Sequence, residues 1–121
     1  MRIGELAAKA GVSVRALRYY EEQGLLAAQR TPSGQRVYPD GAVDRVVLVQ
    51  QLYAAGLSSR RILELLPCVY TGHATAHTLA LLAAERDRIE EQITGLTATR
   101  DRLDAVIAAA TASVADGHLP G

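Results

Sequence analysis

Apolar residues at Ile3, Leu6, Ala7 and Ala10 recur at helical spacing and stop before Gly11, where a left-handed backbone is easiest. Ser13 is then a natural N-cap for a second helix over residues 14 to 23, which Gly24 closes. Val14, Leu17 and Tyr20 or Glu21 lie toward one side of that helix, whereas Arg15, Arg18, Tyr19 and Glu22 share another. One face is therefore basic and aromatic while the other can be buried. Two short helices joined through Gly11, Val12 and Ser13 make a helix-turn-helix candidate, with an ordinary helical hairpin as the alternative.

In the following stretch, LLAAQRTPSGQRVYPD, Thr31-Pro32-Ser33-Gly34 is a turn signal between two segments able to pair as strands. Arg30, Arg36 and Tyr38 decorate that hairpin, so it reads as a wing able to follow a phosphate backbone, or else as a solvated loop with incidental arginines. Pro39-Asp40 starts a third helix to about Ala55. Its residues Val43, Val46, Val47, Leu48, Val49 and Leu52 cover more than one side, which predicts a sandwiched helix. Gly56 stops it, Ser58 caps a fourth helix with Ile62, Leu63, Leu65 and Leu66 on its buried side, and Pro67 ends that helix. An N-terminus with serine hydroxyls, free N–H groups, Arg60 and Arg61 suits a phosphate; a plain capped surface helix is the alternative.

Residues 68 to 78, CVYTGHATAHT, read as a linker that turns helical after Gly72. Beyond it, spacings of three and four alternate through Leu79, Leu82, Arg86, Ile89, Ile93, Leu96, Arg100, Leu103, Ile107 and Ala110, and eight of these ten sites are apolar. A stripe of that kind along roughly 48 Å of helix needs a partner helix. The arginines on the seam are exceptions: in an antiparallel pair centred on Ile93, Arg86 would lie level with the partner's Arg100, so ion pairs to Glu90 and Asp104, or a displaced crossing point, are expected. After Ala112 the periodicity stops and a frayed tail is predicted. The predicted organisation is mainly α: a head over residues 1–67, a linker over 68–78, a coiled-coil helix over 79–112 and a flexible tail over 113–121.

Composition alters this picture in three places. With 121 residues and no Phe or Trp, the core must come from Leu, Ile, Val and Ala, and it is small enough that a second subunit would help. Cys68 is the single cysteine, which excludes an intrachain disulfide framework and, with no span-length apolar segment and no signal peptide pattern, predicts a cytoplasmic protein without membrane contact. The net charge of zero hides an asymmetry: residues 1–66 hold nine Lys or Arg against six acids, and residues 67–121 hold four against seven. The first part is thus suited to a polyanion. No nucleophile and base pairing, phosphate-binding glycine loop or converging carboxylates support an enzyme. Cys68, His73 and His77 could gather around zinc, but such residues in a linker are more often structural, and no metal or cofactor is assigned.

The order IGELAAKAGVSVRALRYYEEQGLL, then RTPSGQRVY, then a segment containing LYAAGLSS and a long terminal helix resembles the MerR family of bacterial transcription regulators over residues 1 to about 112. The resemblance implies a winged helix-turn-helix head whose second helix enters the major groove of double-stranded DNA. It also implies a homodimer joined by antiparallel terminal helices, through Leu79, Leu82, Arg86, Ile89, Ile93, Leu96, Arg100, Leu103 and Ile107. DNA-contacting roles fall on Arg15, Arg18, Tyr19 and Tyr20, with Ser13 at the helix start, and on Arg36 and Tyr38 in the wing. Arg15 and Arg18 suit base edges or phosphates, whereas Tyr20 more plausibly packs inward. Where many relatives carry an arginine this chain has Tyr53, leaving phosphate contact there to Tyr53, Ser58, Arg60 and Arg61. Implied too are a palindromic promoter operator, control of RNA polymerase by distorting the DNA, and in some relatives repression alone. Cysteines that serve metal-sensing relatives are absent from the start of the long helix and from its end. A small organic or redox effector would then sit between head and partner coil, against Leu66, Cys68, Val69 and Tyr70. The competing reading is a coiled-coil interaction protein, or a repressor without an effector.

Overall fold

Gly11, at φ 71°, ends the first helix, α1 (Ile3–Ala10), one residue past its last apolar position. Two residues on, Ser13 Oγ accepts the Ala16 N–H at 3.0 Å and caps α2 (Val14–Glu22). The computed structural model describes residues 1–117 and adds β1 (Gln29–Arg30), β2 (Arg36–Val37), α3 (Ala42–Ala54), α4 (Ser59–Thr71) and α5 (Ala76–Ala115). The chain divides into two units, Met1–Leu79 and the remainder from Ala80.

In the first unit α1 packs against α2 and α3, and α3 packs against α4. Leu6, Leu17, Leu25, Val46, Val49, Ile62, Leu65 and Leu66 fill the space between them and are buried. Both sides of α3 contribute: Ala42, Val46 and Val49 are buried, while Val43, Val47, Leu48 and Leu52 are half-buried, as a sandwiched helix requires. The wing is a two-stranded antiparallel hairpin in which Gln29 faces Val37 and Arg30 faces Arg36. Its turn is closed by the Thr31 N–H on the Gln35 carbonyl at 2.8 Å, with Gly34 at φ 85° supplying the left-handed residue.

Two ties hold the wing to the head. Tyr38 N–H donates to the Met1 carbonyl at 2.7 Å and Met1 nitrogen donates to the Tyr38 carbonyl at 2.9 Å, so the start of the chain pairs with the residue after β2. The Tyr38 ring is 2% exposed, and its hydroxyl donates to the Glu21 carboxylate, whose second oxygen accepts from Arg36 Nη2 at 2.7 Å. Burial, followed by the Glu21 hydrogen bond and charge, pushes the Tyr38 phenol up to about 12, against a partial lowering by Arg36 and Arg18.

Several expected boundaries move. Residues 39–41 form a turn before α3, with the Ala42 N–H on the Pro39 carbonyl at 3.0 Å, so Pro39 and Asp40 precede the helix rather than start it. Pro67 does not end α4, which continues to Thr71 and stops at Gly72, φ 68°. The ring deprives the Leu63 carbonyl of its donor, but Leu63 and Pro67 both lie on the exposed side, where water can replace it. The interval assigned to a linker over 68–78 shrinks to residues 72–75. A reciprocal cap, Thr78 N–H to Thr75 Oγ1 at 3.1 Å and Thr75 N–H to Thr78 Oγ1 at 2.8 Å, starts α5 at Ala76. The far end of α5 reaches Ala115, carried by alanines of high helix propensity, so Ser113–Ala115 are helical rather than tail. Residues 118–121 of the expected tail lie outside the described residues.

Along α5, Leu79, Ile93, Leu96, Leu103 and Ile107 are exposed, Leu96 at 71%, while Leu82 and Ile89 are half-buried. Val114, also exposed, continues the seam one step past Ala110. Arg86 pairs with Asp87 at 3.6 Å and Arg100 with Asp101 at 3.1 Å, instead of Glu90 and Asp104. Each pair joins exposed neighbours in sequence, and such exposed pairs stabilise little.

Truncation of the wholly buried Ile62 to alanine is expected to destabilise the first unit by about 2–5 kcal/mol, measured as a lowered urea midpoint. Because the folded-state pKa of Tyr38 is raised, its contribution is whole below about pH 10 and is lost as pH rises through about 12. The urea midpoint should therefore fall between about pH 10 and about pH 12, and fall less steeply in Tyr38→Phe; an equal slope in the variant would contradict this assignment.

Candidate nucleic-acid interface

The buried side of α2 determines what its other side presents. Leu17 is wholly buried and Tyr20 nearly so, which turns Arg15, Arg18 and Tyr19 outward on successive turns. Arg15 and Arg18 are exposed and have no hydrogen-bond or ion-pair partner among the described residues. Two unneutralised guanidinium groups on one exposed helix face are well suited to phosphates or to guanine edges.

Three tyrosines join this helix to the end of α3 and the start of α4. The rings of Tyr20 and Tyr53 stack with centroids 5.6 Å apart, and Tyr19 lies 6.4 Å from each. The Tyr53 hydroxyl hydrogen-bonds Ser59 Oγ, and the Tyr19 hydroxyl is 3.5 Å from the same oxygen. Burial first, with the neighbouring Tyr53, raises the Tyr20 pKa; burial also raises that of Tyr53, partly offset by its bond to Ser59. These phenols stay neutral at neutral pH and present O–H donors rather than a repelling charge. An open cavity of about 460 Å³ lies over the cluster, lined by Ser13, Arg15, Ala16, Tyr19, Tyr20 and Tyr53.

Sequence-predicted contacts sort into two groups on this surface. Arg15, Arg18 and Tyr19 are presented outward. Tyr20, read from the sequence as packing inward, is buried and props α2; Tyr38, expected as a contact, is buried as well and anchors the wing, because each ring is worth more in the core than in water. Arg36 remains about half-exposed although tied to Glu21. Ser13 and Ser58 spend their hydroxyl oxygens as caps, on Ala16 and Arg61 N–H groups at 3.0 and 3.2 Å. The hydroxyl that faces the tyrosines belongs to Ser59, which sequence reasoning passed over. Arg60 and Arg61 converge on Glu64 at 3.8 and 3.0 Å, so their charge is partly offset at the start of α4.

Glu21 is the other residue the sequence reading left without a role. Its carboxylate is 12% exposed and accepts from both Arg36 and the Tyr38 hydroxyl. A signal existed: an acid on the inward side of α2, with Arg and Tyr two apart in the QRVY segment to satisfy it.

Of the residues expected to line an effector site, Leu66 is buried in the head core. Cys68 is half-buried, and Val69 and Tyr70 are exposed. The Arg45 guanidinium lies 5.0 Å from the Tyr70 ring centroid and is oriented by an Nε bond to the Leu25 carbonyl at 2.8 Å. Among the described residues no group of three or more His, Cys, Asp or Glu is placed to hold a metal ion, and no helix is long and apolar enough to cross a membrane.

Residues 2–38 match the model of the MerR family regulatory protein, and residues 43–106 match that of the MerR DNA-binding region. The nodulation protein NolA of Bradyrhizobium elkanii is 38% identical over 98% of this chain and 52% of its own length. The chain spans about half the length of the NolA proteins it matches. The regulator CueR of Bacillus subtilis is 32% identical over 84% of this chain and 72% of its own. Among solved structures, a MerR family transcriptional regulator from Listeria monocytogenes superposes with a TM-score of 0.82 at 28% identity, covering 97% of this chain and 90% of its own. HiNmlR, a MerR family regulator lacking the sensor domain and bound to promoter DNA, gives 0.81 at 28% identity, covering 99% and 96%. A family model spanning more than half of the residues, together with a relative of comparable length, leads to one conclusion: the chain belongs to the MerR family of transcription regulators.

Proposed function

We propose that the protein is a homodimeric regulator that binds a palindromic promoter operator in double-stranded DNA and controls RNA polymerase by distorting the DNA between its half-sites. The observation that carries this reading is the exposed, unneutralised pair Arg15 and Arg18 on a helix whose opposite side is fixed in the core. The structural neighbour HiNmlR, bound to promoter DNA, supports it. Two heads gripping one duplex can offset a bending energy of about 1–6 kcal/mol through charge-assisted contacts.

Dimerisation is supported by the exposed stripe of α5. Leu96, Leu103 and Ile107 each stand to gain roughly 1.5–3 kcal/mol from full burial, and a second copy of the same stripe, run antiparallel, matches their spacing. A small organic or redox effector near Cys68, Val69 and Tyr70 would act on the same dimer, in the cytoplasm.

Arg18→Ala should lose about 1–3 kcal/mol of binding to a duplex selected by the wild-type chain from a random-sequence pool, with the dimer intact. Equal affinity in the variant would remove Arg18 from the DNA-contacting surface. Replacing Leu96 and Leu103 together by glutamate should shift sedimentation equilibrium to the monomer mass and abolish tight binding to that duplex while leaving the head folded. A dimer unaffected by both charges would require a different interface.

A further inference from the structure

A second cleft, of about 270 Å³, opens between the start of α1, the recognition helix α2 and the wing, and it is lined by Arg2, Ile3, Arg18, Gln35, Arg36 and Tyr38. Three of those six residues carry a guanidinium group, and no carboxylate lines the cleft. Glu21 and Glu22 lie on the other side of Arg18 and Arg36, where Glu21 is engaged by Arg36 and by the Tyr38 hydroxyl. Arg2 reaches the cleft because residue 1 is paired with Tyr38 on both its N–H and C=O, which lays the start of the chain along the wing. Its side chain is then aimed by a bond from Nη2 to Gln35 Oε1 at 2.5 Å. A neutral amide orients the guanidinium without neutralising it, and the remaining N–H donors stay available.

Like charges gathered around one concavity repel, and an anion entering between them relieves that repulsion. Rigid planar forks favour an anion with several oxygens in one plane or tetrahedron, and a phosphodiester offers two. We propose that Arg2, together with Arg18 and Arg36, clamps one backbone phosphate of the bound duplex, making Arg2 a DNA contact outside the helix-turn-helix and wing. The proposal rests on the DNA-binding reading given above. In it, Gln35 is a positioning residue, and Arg18 closes the clamp from the recognition helix, so that wing and helix are held at one spacing on the backbone.

The test compares wild type, Arg2→Gln and Arg2→Lys on two duplexes, one selected by the wild-type chain from a random-sequence pool and one of unrelated sequence, across a range of salt concentrations. Arg2→Gln should weaken binding to both duplexes several-fold and by the same factor, and should lower the slope of log affinity against log salt by about 1, as expected for one lost phosphate contact. Arg2→Lys should restore most of the slope, which loss of a merely structural bond to Gln35 would not. Thermal melting of the variants reports whether the head is intact. An Arg2→Gln chain with wild-type affinity and slope would overturn the clamp alone; a loss confined to the selected duplex would overturn it as well, since a phosphate contact carries no base preference. A wild-type chain that selects no duplex would overturn the DNA-binding reading itself, and the clamp with it.

Discussion

Burial of Leu17 and Tyr20 against the rest of the head is the constraint on which the surface chemistry depends. A helix of nine residues is too short to be stable by itself in water, so α2 exists because its inward side is packed and its first turn is capped by Ser13. Once that side is fixed, helical geometry leaves no freedom in where Arg15, Arg18 and Tyr19 emerge. The same packing places Tyr20 on Tyr53, and Tyr53 on Ser59, so the start of α4 is held in register with α2 through neutral groups. Precision on the exposed side of α2 is thus a by-product of a core without Phe or Trp.

Glu21 introduces a compromise. An acid beside Arg18 and Arg36 opposes the approach of a polyanion by its charge, yet it reaches both the Tyr38 hydroxyl and Arg36. A nearly buried carboxylate is tolerated because it is satisfied on both oxygens, by a phenol and by a guanidinium. The wing, only two residues long on each strand, could not hold its place through its own hydrogen bonds. It is secured instead by one buried ring and by pairing with the start of the chain. That arrangement spends part of the Arg36 charge on rigidity, whereas Arg18 and Arg2 face no carboxylate in the cleft beside the wing.

The second unit poses the opposite situation. Its long helix has strong local propensity and reciprocal caps at its start, but its apolar stripe remains in water along most of its length. An extended row of exposed Leu and Ile is the kind of surface that a second helix covers.

Most of the element order was legible in the sequence, because periodicity, Gly at helix ends and Ser at helix starts are local signals with local causes. Gly11, Ser13, Ser58 and the Thr31 to Gly34 turn act through their nearest neighbours, and each behaves as its residue type predicts. Pro67 shows the limit of local reasoning: a proline on the exposed side of a helix that is otherwise well packed bends the rule without ending the helix. The sorting of tyrosines lay further out of reach. Tyr19, Tyr20, Tyr38 and Tyr53 are the same chemically, and beyond the inward turn of Tyr20 only the tertiary structure decided that Tyr38 is buried, which hydroxyls meet Ser59 and which is bound by Glu21, because Glu21 lies 17 residues from Tyr38 and Ser59 lies 40 from Tyr19. The sequence by itself determined the helices, their faces and the identity of the basic side chains; the meeting of Arg2 with Arg18 and Arg36 required the fold, since no periodicity relates residues brought together by three separate elements.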